Sequence, residues 1–220
     1  MLNTITAAGL ATLSRLGIVR DIDLRMPSEI TADPDPVIPG VTFVADSIAP
    51  DNDPDITHLV GNLALIPSFK LMGYAFGSYR ILYLELGASP TCVCGHRVLY
   101  DNVLAVNGQP LVFHCSHGDH RTGCGAFVLL RILGVPTKTA TPDYLVSNVG
   151  NKAMLASYAA PYLASGFTMQ QSDFSLKRAY LKAAMQALIT TYGSFSRYVR
   201  LGLGLSRTDV RTLRDTYLAS

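Results

Sequence analysis

The sequence predicts an α/β fold in which helices flank a parallel sheet and a helical part completes the chain. Strand-like and helical patterns alternate early in the chain, which is typical of sheets built from parallel strands. Over residues 172–220 the pattern is helical only. With 220 residues, 49% of them hydrophobic, the chain can bury a core, and we expect one domain over 1–220.

The strand predictions rest on apolar runs that lack helical periodicity. The first run alternates polar and apolar residues, and the second is a further strand candidate. A third is short, continuously apolar and rich in branched and aromatic side chains, which suits a buried parallel strand. In chain order the predicted strands are 18–24, 41–48 and 110–114. The proline-rich stretch 31–40 between the first two is expected to be a loop, and a polar stretch follows over 50–57.

The helix predictions rest on apolar periodicity and on signals for helix ends. Thr6 can cap the first helix and Gly17 can end it. Gly134 closes the helix after the third strand, and Thr141 followed by Pro142 predicts another helix start. The predicted helices are 7–16, 71–86, 95–106, 122–133, one from 141 onward, and 172–218 with breaks near 193 and 202–206.

The composition excludes several kinds of partner. A net charge of +2 is too small to favour binding of nucleic acid. No apolar run approaches the roughly 20 residues of a membrane span, and no cleavable signal peptide is visible. We therefore expect a protein without a transmembrane segment, either cytoplasmic or secreted without a visible signal peptide. The sequence leaves its oligomeric state open.

Basic residues are concentrated in the last third of the chain. They are Lys177, Arg178, Lys182, Arg197, Arg200, Arg207, Arg211 and Arg214. Solvated helix faces are the favoured interpretation of this concentration, and a docking surface is the alternative.

The cysteines show no pattern of a disulfide framework. Cys92 and Cys94 are too close together for the common zinc knuckle, and they lack a second ligand pair. Reduced thiols are therefore expected. Cys124 could trap an oxidised Cys115 as a disulfide, although packing within the following helix is the favoured role.

The stretch 110–133 carries the candidate chemistry. It is predicted as strand, loop and helix, with Cys115 at the end of the strand and Arg121 just before the helix. A loop with inward-facing amides, followed by a helix N-terminus, binds phosphate oxygens, and Arg121 can grip two of those oxygens. The same positive field should lower the pKa of Cys115 and produce a nucleophilic thiolate at neutral pH.

The neighbours of these two residues have supporting roles. Gly118 lets the loop close, Thr122 can donate its hydroxyl to the thiolate, and His114 is expected to anchor the loop by hydrogen bonds. The residues predicted to bind phosphate are Ser116, His117, Gly118, Asp119, His120 and Arg121.

A zinc site is the competing interpretation of this stretch. His114, His117 and His120 recur every three residues beside Cys115. In a loop that wraps a phosphate, however, the backbone faces inward and the side chains radiate outward, so these rings would not converge. We therefore expect no metal and no cofactor.

The leaving group of a phosphate ester needs a proton. Because the chain has no aspartate between Asp55 and Asp101, and Glu85 falls within a predicted helix, the acid should come from the loop itself. Asp119 is favoured narrowly, since a bound phosphate dianion raises the pKa of a carboxyl. The same dianion would keep His120 protonated, so His120 is the alternative.

Asp23 and Arg25 end the first predicted strand. Ligands of open α/β sheets lie at the carboxyl ends of the strands, which favours a supporting role at the site. A salt bridge that fixes the strand end against Glu29 or the loop is an equally good interpretation.

Residues 114–123, HCSHGDHRTG, resemble the signature loop of the protein tyrosine phosphatases. The wider pattern resembles the bacterial tyrosine and phosphoinositide phosphatases, some of which are secreted. It is carried by residues 16–18, 22–25, 29, 143–145, 147–148, 180–184, 192–194, 203–205 and 213–214. The resemblance implies the tyrosine phosphatase fold, a phosphocysteine intermediate, no metal, and a phosphotyrosine protein or phosphoinositide as substrate.

The chain departs from this family at two places. Family members carry an additional segment before the first helix, and we expect that segment to be missing here. The family also places Lys and then Asp just before the loop arginine, and the resemblance implies that this Asp is the general acid and the Lys favours phosphoinositides. Here Asp119 and His120 occupy the two positions, so the loop has no lysine.

The sequence therefore predicts a cysteine-dependent phosphomonoester hydrolase, foremost a protein tyrosine phosphatase. A phosphatase of phosphoinositides or inositol phosphates and an inactive phosphate-binding module are the alternatives.

Overall fold

The computed structural model describes residues 2–48, 90–154, 156 and 175–218, with the backbone alone for 90–95. The strands are β1 (Arg20–Asp23), β2 (Thr42–Ala45) and β3 (Leu111–His114). The helices are α1 (Ala7–Arg15), α2 (Pro27–Ala32), α3 (Pro90–Ala105), α4 (Arg121–Leu133), α5 (Thr137–Gly150), α6 (Arg178–Tyr192), α7 (Phe195–Arg197) and α8 (Arg207–Tyr217), with a π-helical turn over Tyr198–Gly202 after α7. The predicted polar stretch 50–57 and helix 71–86 lie outside the described residues.

The three described strands form one parallel sheet in the order β2-β1-β3. The central strand is buried from Asp21 onward. Its last residue, Asp23, pairs in register with Ala45 of β2 and His114 of β3. Because the strands are parallel, their carboxyl ends share one edge of the sheet, and this is where α/β folds place their ligands.

Helix α4 packs closely against its neighbours α3 and α5. A Cβ atom added at Gly125 would lie 2.9 Å from Leu99 of α3, and one at Gly123 would lie 3.1 Å from the ring of Tyr144 in α5. The hydroxyl of Tyr100 donates to the carbonyl of Gly125 at 3.0 Å. A larger residue at either glycine would therefore push α4 away from its neighbours.

The predicted helix ends are present. Thr6 caps α1 by accepting a hydrogen bond from the Gly9 N–H at 3.1 Å. Gly134 and Gly193 end α4 and α6 in the left-handed conformation, with φ of 100° and 81°. The left-handed backbone conformation favours glycine, since a residue with a Cβ atom is strained there.

Several helix starts were predicted wrongly. The helix expected from 95 begins at Pro90 as α3, and among the described residues the C-terminal helix expected from 172 begins at Arg178 as α6. The helix expected to begin at Thr141 and Pro142 begins at Thr137, directly after Pro136. Pro142 is the sixth residue of α5. Because proline has no N–H, the helix lacks the hydrogen bond that this position would otherwise donate to the carbonyl oxygen of Lys138. The Thr-Pro pair imitates a helix start, but Pro136 provides the actual one because its extended backbone leads into the helix.

The loop predicted over 31–40 begins later than expected, because α2 extends to Ala32. Pro27 at the first position and Glu29 at the third are the ordinary signals of a helix start. The carboxylate of Glu29 accepts a hydrogen bond from the Met26 N–H at 2.8 Å, which completes the start of the helix.

The predicted class, a tyrosine phosphatase-like parallel sheet flanked by helices, is confirmed. The described C-terminal residues are helical, as expected. Among the helices in the described ranges, none combines the length and the apolar composition that crossing a bilayer requires.

Candidate active site

Residues 115–120 connect the end of β3 to the start of α4 at the carboxyl edge of the sheet. Cys115 is buried at the start of this loop, with 3% of its surface exposed. Arg121 is the first residue of α4, so the helix N-terminus lies at the other end of the loop. Gly118 has φ of 75° and no atom would contact an added Cβ, so its backbone conformation is what requires glycine.

The surroundings of Cys115 favour its thiolate form. Burial by itself would raise the pKa of the thiol. The positive charge of Arg121, the hydroxyl and backbone N–H of Thr122 and the backbone N–H of His117 outweigh burial and lower the pKa below its usual value. A lowered pKa in a loop that ends at a helix N-terminus is characteristic of reactive cysteines.

Arg121 is held by the carboxylate of Glu29. Its Nη1 lies 2.5 Å from Glu29 Oε2, and its Nη2 lies 3.0 Å from Glu29 Oε1. Ser116 joins this pair, because its hydroxyl donates to Glu29 Oε1 at 2.5 Å and accepts from Arg121 Nη2 at 3.1 Å. Burial alone would raise the pKa of Glu29, but Arg121 and Ser116 lower it to about 2. Glu29 is therefore ionised throughout the working pH range.

Asp119 is buried within the loop, and the pKa of its carboxyl is raised above the usual value. Burial raises its pKa to about 6, and the only opposing contribution is a hydrogen bond from the side-chain amide of Asn151. The same amide donates to the carbonyl oxygen of His117 at 2.9 Å. Asn151 thus fixes both the carboxyl of Asp119 and the backbone of the loop.

The pKa of His120 is lowered, in contrast to that of Asp119. Burial lowers its pKa to about 3, and the nearby Arg121 and His117 contribute in the same direction. The imidazole is therefore neutral at physiological pH in the free chain. The neighbouring His117 also has a lowered pKa, first because it is buried.

His114 anchors the loop from behind. Its Nδ1 lies 3.3 Å from the carbonyl oxygen of Cys115, and its Nε2 lies 2.9 Å from Asp35 and 3.3 Å from Asp21. Burial would lower the pKa of His114, but the surrounding carboxylates of Asp21, Asp23 and Asp35 raise it. With Nδ1 against the backbone and Nε2 close to two carboxylates, the ring of His114 fixes the backbone at the nucleophile.

Asp23 and Arg25 form a fully buried ion pair with each other. Arg25 Nη2 lies 2.7 Å from Asp23 Oδ2, and Arg25 Nε lies 2.9 Å from Asp23 Oδ1. Arg25 also donates to the carbonyl oxygen of Asp33 and lies 3.2 Å from Asp35. The pair thus ties the end of β1 to the loop that precedes β2.

Comparisons with known proteins agree with this geometry. The model of the tyrosine phosphatase family matches residues 1–219 of the chain. The chain belongs to the tyrosine phosphatase family. The predicted family and the predicted kind of enzyme, a phosphoric monoester hydrolase, are therefore confirmed.

Two relatives illustrate the range of the family. A protein of Cupriavidus necator whose name assigns it to the tyrosine-protein phosphatases is 34% identical over 117 residues, which cover 52% of this chain and 42% of that protein. A triple specificity protein phosphatase, PtpB, of Mycobacterium tuberculosis is 29% identical over 244 aligned residues, which cover 99% of this chain and 88% of that protein. The chain thus spans less than half of the first relative and most of the second.

The zinc site considered as an alternative receives no geometric support. In the part of the chain that the structure describes, His114, Cys115, His117 and His120 do not bring their ligand atoms together. The grouped donors there are Asp21, Asp35 and His114, which lie within 4.8 Å of one another. Arg25 is 3.2 Å from Asp35, and its positive charge opposes a cation at that place.

The remaining cysteine in the described side chains is Cys124, which is fully buried and, like Cys115, is not part of a disulfide. Its burial within α4 agrees with the favoured packing role. The side chains of Cys92 and Cys94 lie outside the described atoms.

Sequence reasoning assigned no role to Asp35 and Asn151, and it considered Glu29 only as an alternative salt-bridge partner at the end of the first strand, whereas Glu29 pairs with Arg121. Glu29 could have been recognised from the helix start at Pro27, although its contact with Arg121 could not. Asp35 lies in the proline-rich loop and Asn151 directly follows α5, and neither position has a local signal.

Proposed function

We propose that the chain hydrolyses phosphotyrosine-like phosphomonoesters through a phosphocysteine intermediate. The observation that carries the proposal is the lowered pKa of Cys115 in a loop closed by Arg121 at the N-terminus of α4. The thiolate attacks phosphorus, and the bond between phosphorus and the leaving oxygen breaks. Arg121 and the loop amides, from Ser116 to His120, stabilise the charge on the three equatorial oxygens.

Asp119 is the proposed general acid. A carboxyl with a pKa of about 6 holds its proton at mildly acidic pH and can give it to the departing oxygen. The resulting carboxylate then takes a proton from water, whose oxygen attacks phosphorus and breaks the bond to sulfur. His120 is the weaker candidate, because a pKa of about 3 leaves it without a proton to donate.

The preferred substrate in this proposal is a phosphotyrosine residue of a protein. A lysine in the loop would supply an additional charge for phosphoinositides, and residues 115–121 contain none. The triple specificity in the name of the mycobacterial relative makes a wider panel necessary. Phosphotyrosine peptide, phosphoserine peptide and phosphoinositide should therefore be compared, and a clear preference for the lipid would contradict this substrate class.

The first experiment measures phosphate release from p-nitrophenyl phosphate by the wild type and by Cys115→Ser, without added metal. We expect turnover by the wild type and none by the variant. Turnover that survives the substitution would contradict the assignment of the nucleophile. A folded wild type that binds phosphopeptide without turnover would instead identify a phosphate-binding module.

The pH dependence of kcat/KM tests the acid. A substrate with a poor leaving group, such as phenyl phosphate, is needed because p-nitrophenolate leaves readily without a proton. Since only protonated Asp119 can act, the wild-type rate should fall with rising pH above about 6. In Asp119→Asn the rate should be lower and this fall should disappear, while His120→Ala keeps it. The reverse result would assign the role to His120.

A further inference from the structure

A concave site lies at the opposite end of α4 from the signature loop. It has a volume of about 750 Å³ and is formed by the C-terminal end of α4, the segment from α7 through the π-helical turn, and the first turns of α8. Arg131 contributes to this pocket, whereas Arg121 begins the same helix at the signature loop. Ten residues of α-helix separate the two arginines by about 15 Å, so the pocket is distinct from the active site.

The pocket is lined by an unusual number of arginines. They are Arg131, Arg197, Arg200, Arg207, Arg211 and Arg214. A single acidic residue, Asp215, lies among them. Across residues 2–48, 90–154, 156 and 175–218, none of these arginines forms an ion pair with a carboxylate. The pocket therefore has a strong excess of positive charge.

Two of the arginines have structural contacts that fix the wall of the pocket. Arg131 donates to the carbonyl oxygen of Val135 at 2.5 Å and lies over the ring of Phe195, 5.5 Å from its centroid. Arg214 donates through Nε to the carbonyl oxygen of Ile132 at 3.0 Å. These contacts satisfy carbonyl oxygens at the end of α4 and just after it. They leave other guanidinium N–H groups of the two arginines for a ligand.

The other four arginines are exposed, and within the described part of the chain none of their side chains donates a hydrogen bond to another residue. Arg207 is the first residue of α8, where the positive end of the helix dipole disfavours a cation. Arg211 follows one turn later on the same helix, and Arg197 and Arg200 line the pocket from α7 and the π-helical turn. Like charges placed together repel one another, and a polyanion would remove this repulsion.

We propose that this pocket binds a compact organic anion carrying two or more phosphate groups. Guanidinium groups bind phosphate oxygens bidentately, and several arginines require more than one phosphate to balance them. The volume suits a small molecule, and Phe195 and Val210 offer an apolar surface for its scaffold. A soluble polyphosphate and the headgroup of a phosphorylated lipid share this chemistry.

The test separates this pocket from the signature loop. Binding is measured by calorimetry at physiological salt in a Cys115→Ser/Arg121→Ala background, which disables the loop. The soluble probe is inositol hexakisphosphate, and the membrane probe is a vesicle containing phosphatidylinositol bisphosphate. Arg200→Ala/Arg211→Ala removes two pocket arginines. Arg15→Ala/Arg178→Ala removes two exposed arginines elsewhere and changes the net charge equally.

We expect Arg200→Ala/Arg211→Ala, the pocket pair, to weaken binding at least about tenfold, because each hydrogen bond to a charged group contributes substantially to the free energy of binding. Arg15→Ala/Arg178→Ala, the control pair, should weaken binding less than about twofold. Binding to both probes indicates recognition of the headgroup itself, and binding to one identifies the source. Equal losses in both pairs, or no binding by the background protein, would overturn the proposal. In the otherwise wild-type chain, the pocket pair should leave hydrolysis of p-nitrophenyl phosphate unchanged.

Discussion

Two arginine–carboxylate pairs near the edge of the sheet have the same chemistry and different surroundings. In both, the guanidinium contacts both oxygens of a carboxylate. The side chains of Arg25 and Asp23 are fully buried, whereas those of Arg121 and Glu29 are 15% and 32% exposed. A buried pair leaves an uncompensated charge when one partner is lost, but water can solvate the remaining partner of an exposed pair.

The difference separates residues that maintain the fold from residues that serve the reaction. Arg25 is surrounded by Asp23, Asp35 and the carbonyl oxygen of Asp33, so a substrate oxygen has no access to it. Arg121 keeps an exposed edge beside Cys115 and is oriented by Glu29. We expect loss of Arg25 to reduce stability and loss of Arg121 to reduce catalysis.

The largest effect is expected for Arg121→Lys. Lysine keeps the positive charge but cannot bind two phosphate oxygens with a planar fork. We expect kcat/KM to fall on the order of a thousandfold, as for other arginines that stabilise phosphoryl transfer. Chemical denaturation should show a free energy of unfolding within about 1 kcal/mol of the wild type. A large loss of stability with activity retained would reverse the comparison.

Arg25→Leu should mainly reduce stability, in contrast to Arg121→Lys, which should mainly reduce catalysis. Arg25→Leu leaves Asp23 buried without its ion-pair partner, which costs about 3–5 kcal/mol of unfolding free energy. Denaturant titration measures this loss. The double variant Asp23→Asn/Arg25→Leu should lose less than the sum of the two single variants, because each single variant leaves a charge unpaired. Additive losses would show that the pair is not energetically coupled.

Glu29→Gln tests whether the exposed pair orients the catalytic arginine. The amide keeps the shape of the side chain but offers Arg121 one acceptor and no charge. Because small displacements of catalytic groups cost up to about a hundredfold, we expect kcat to fall by about that amount. KM for p-nitrophenyl phosphate should change less. An increase in kcat/KM would show instead that Glu29 competes with phosphate for Arg121.

The local part of the site could be predicted from the sequence because its determinants are adjacent. One short stretch contains the end of β3, Cys115, the turn at Gly118 and Arg121. The order of strand, loop and helix then places these residues together. The fold class followed in the same way from periodicity and helix-end residues. Prediction failed at Pro142, where a local signal matched a helix start while the preceding Pro136 already provided one.

The long-range part of the site could not be predicted from a single sequence. Glu29 and Arg121 are 92 residues apart, and their contact depends on how α2 packs against the loop. Asn151 reaches Asp119 and the carbonyl of His117 from the end of α5. The raised pKa of Asp119 and the lowered pKa of His120 depend on burial, which only the packed structure provides.

The smallest effects are expected for two serine hydroxyls, one beside each arginine pair. Ser116 donates to Glu29 and accepts from Arg121, whereas Ser47 donates to the carbonyl oxygen of Arg25 at 2.7 Å. Each substitution by alanine removes about 0.5–1.5 kcal/mol of hydrogen bonding. In Ser116→Ala this loss loosens Arg121, so kcat/KM should fall about two- to tenfold while stability hardly changes.

In Ser47→Ala the same loss should appear in the free energy of unfolding, and kcat/KM should stay at the wild-type value. The two variants remove the same chemical group, so they differ only in the pair that the hydroxyl supports. Steady-state kinetics and denaturant titration on both proteins complete the comparison. If Ser47→Ala lowered kcat/KM as much as Ser116→Ala, the buried pair would also position the loop, and the separation of fold from reaction would fail.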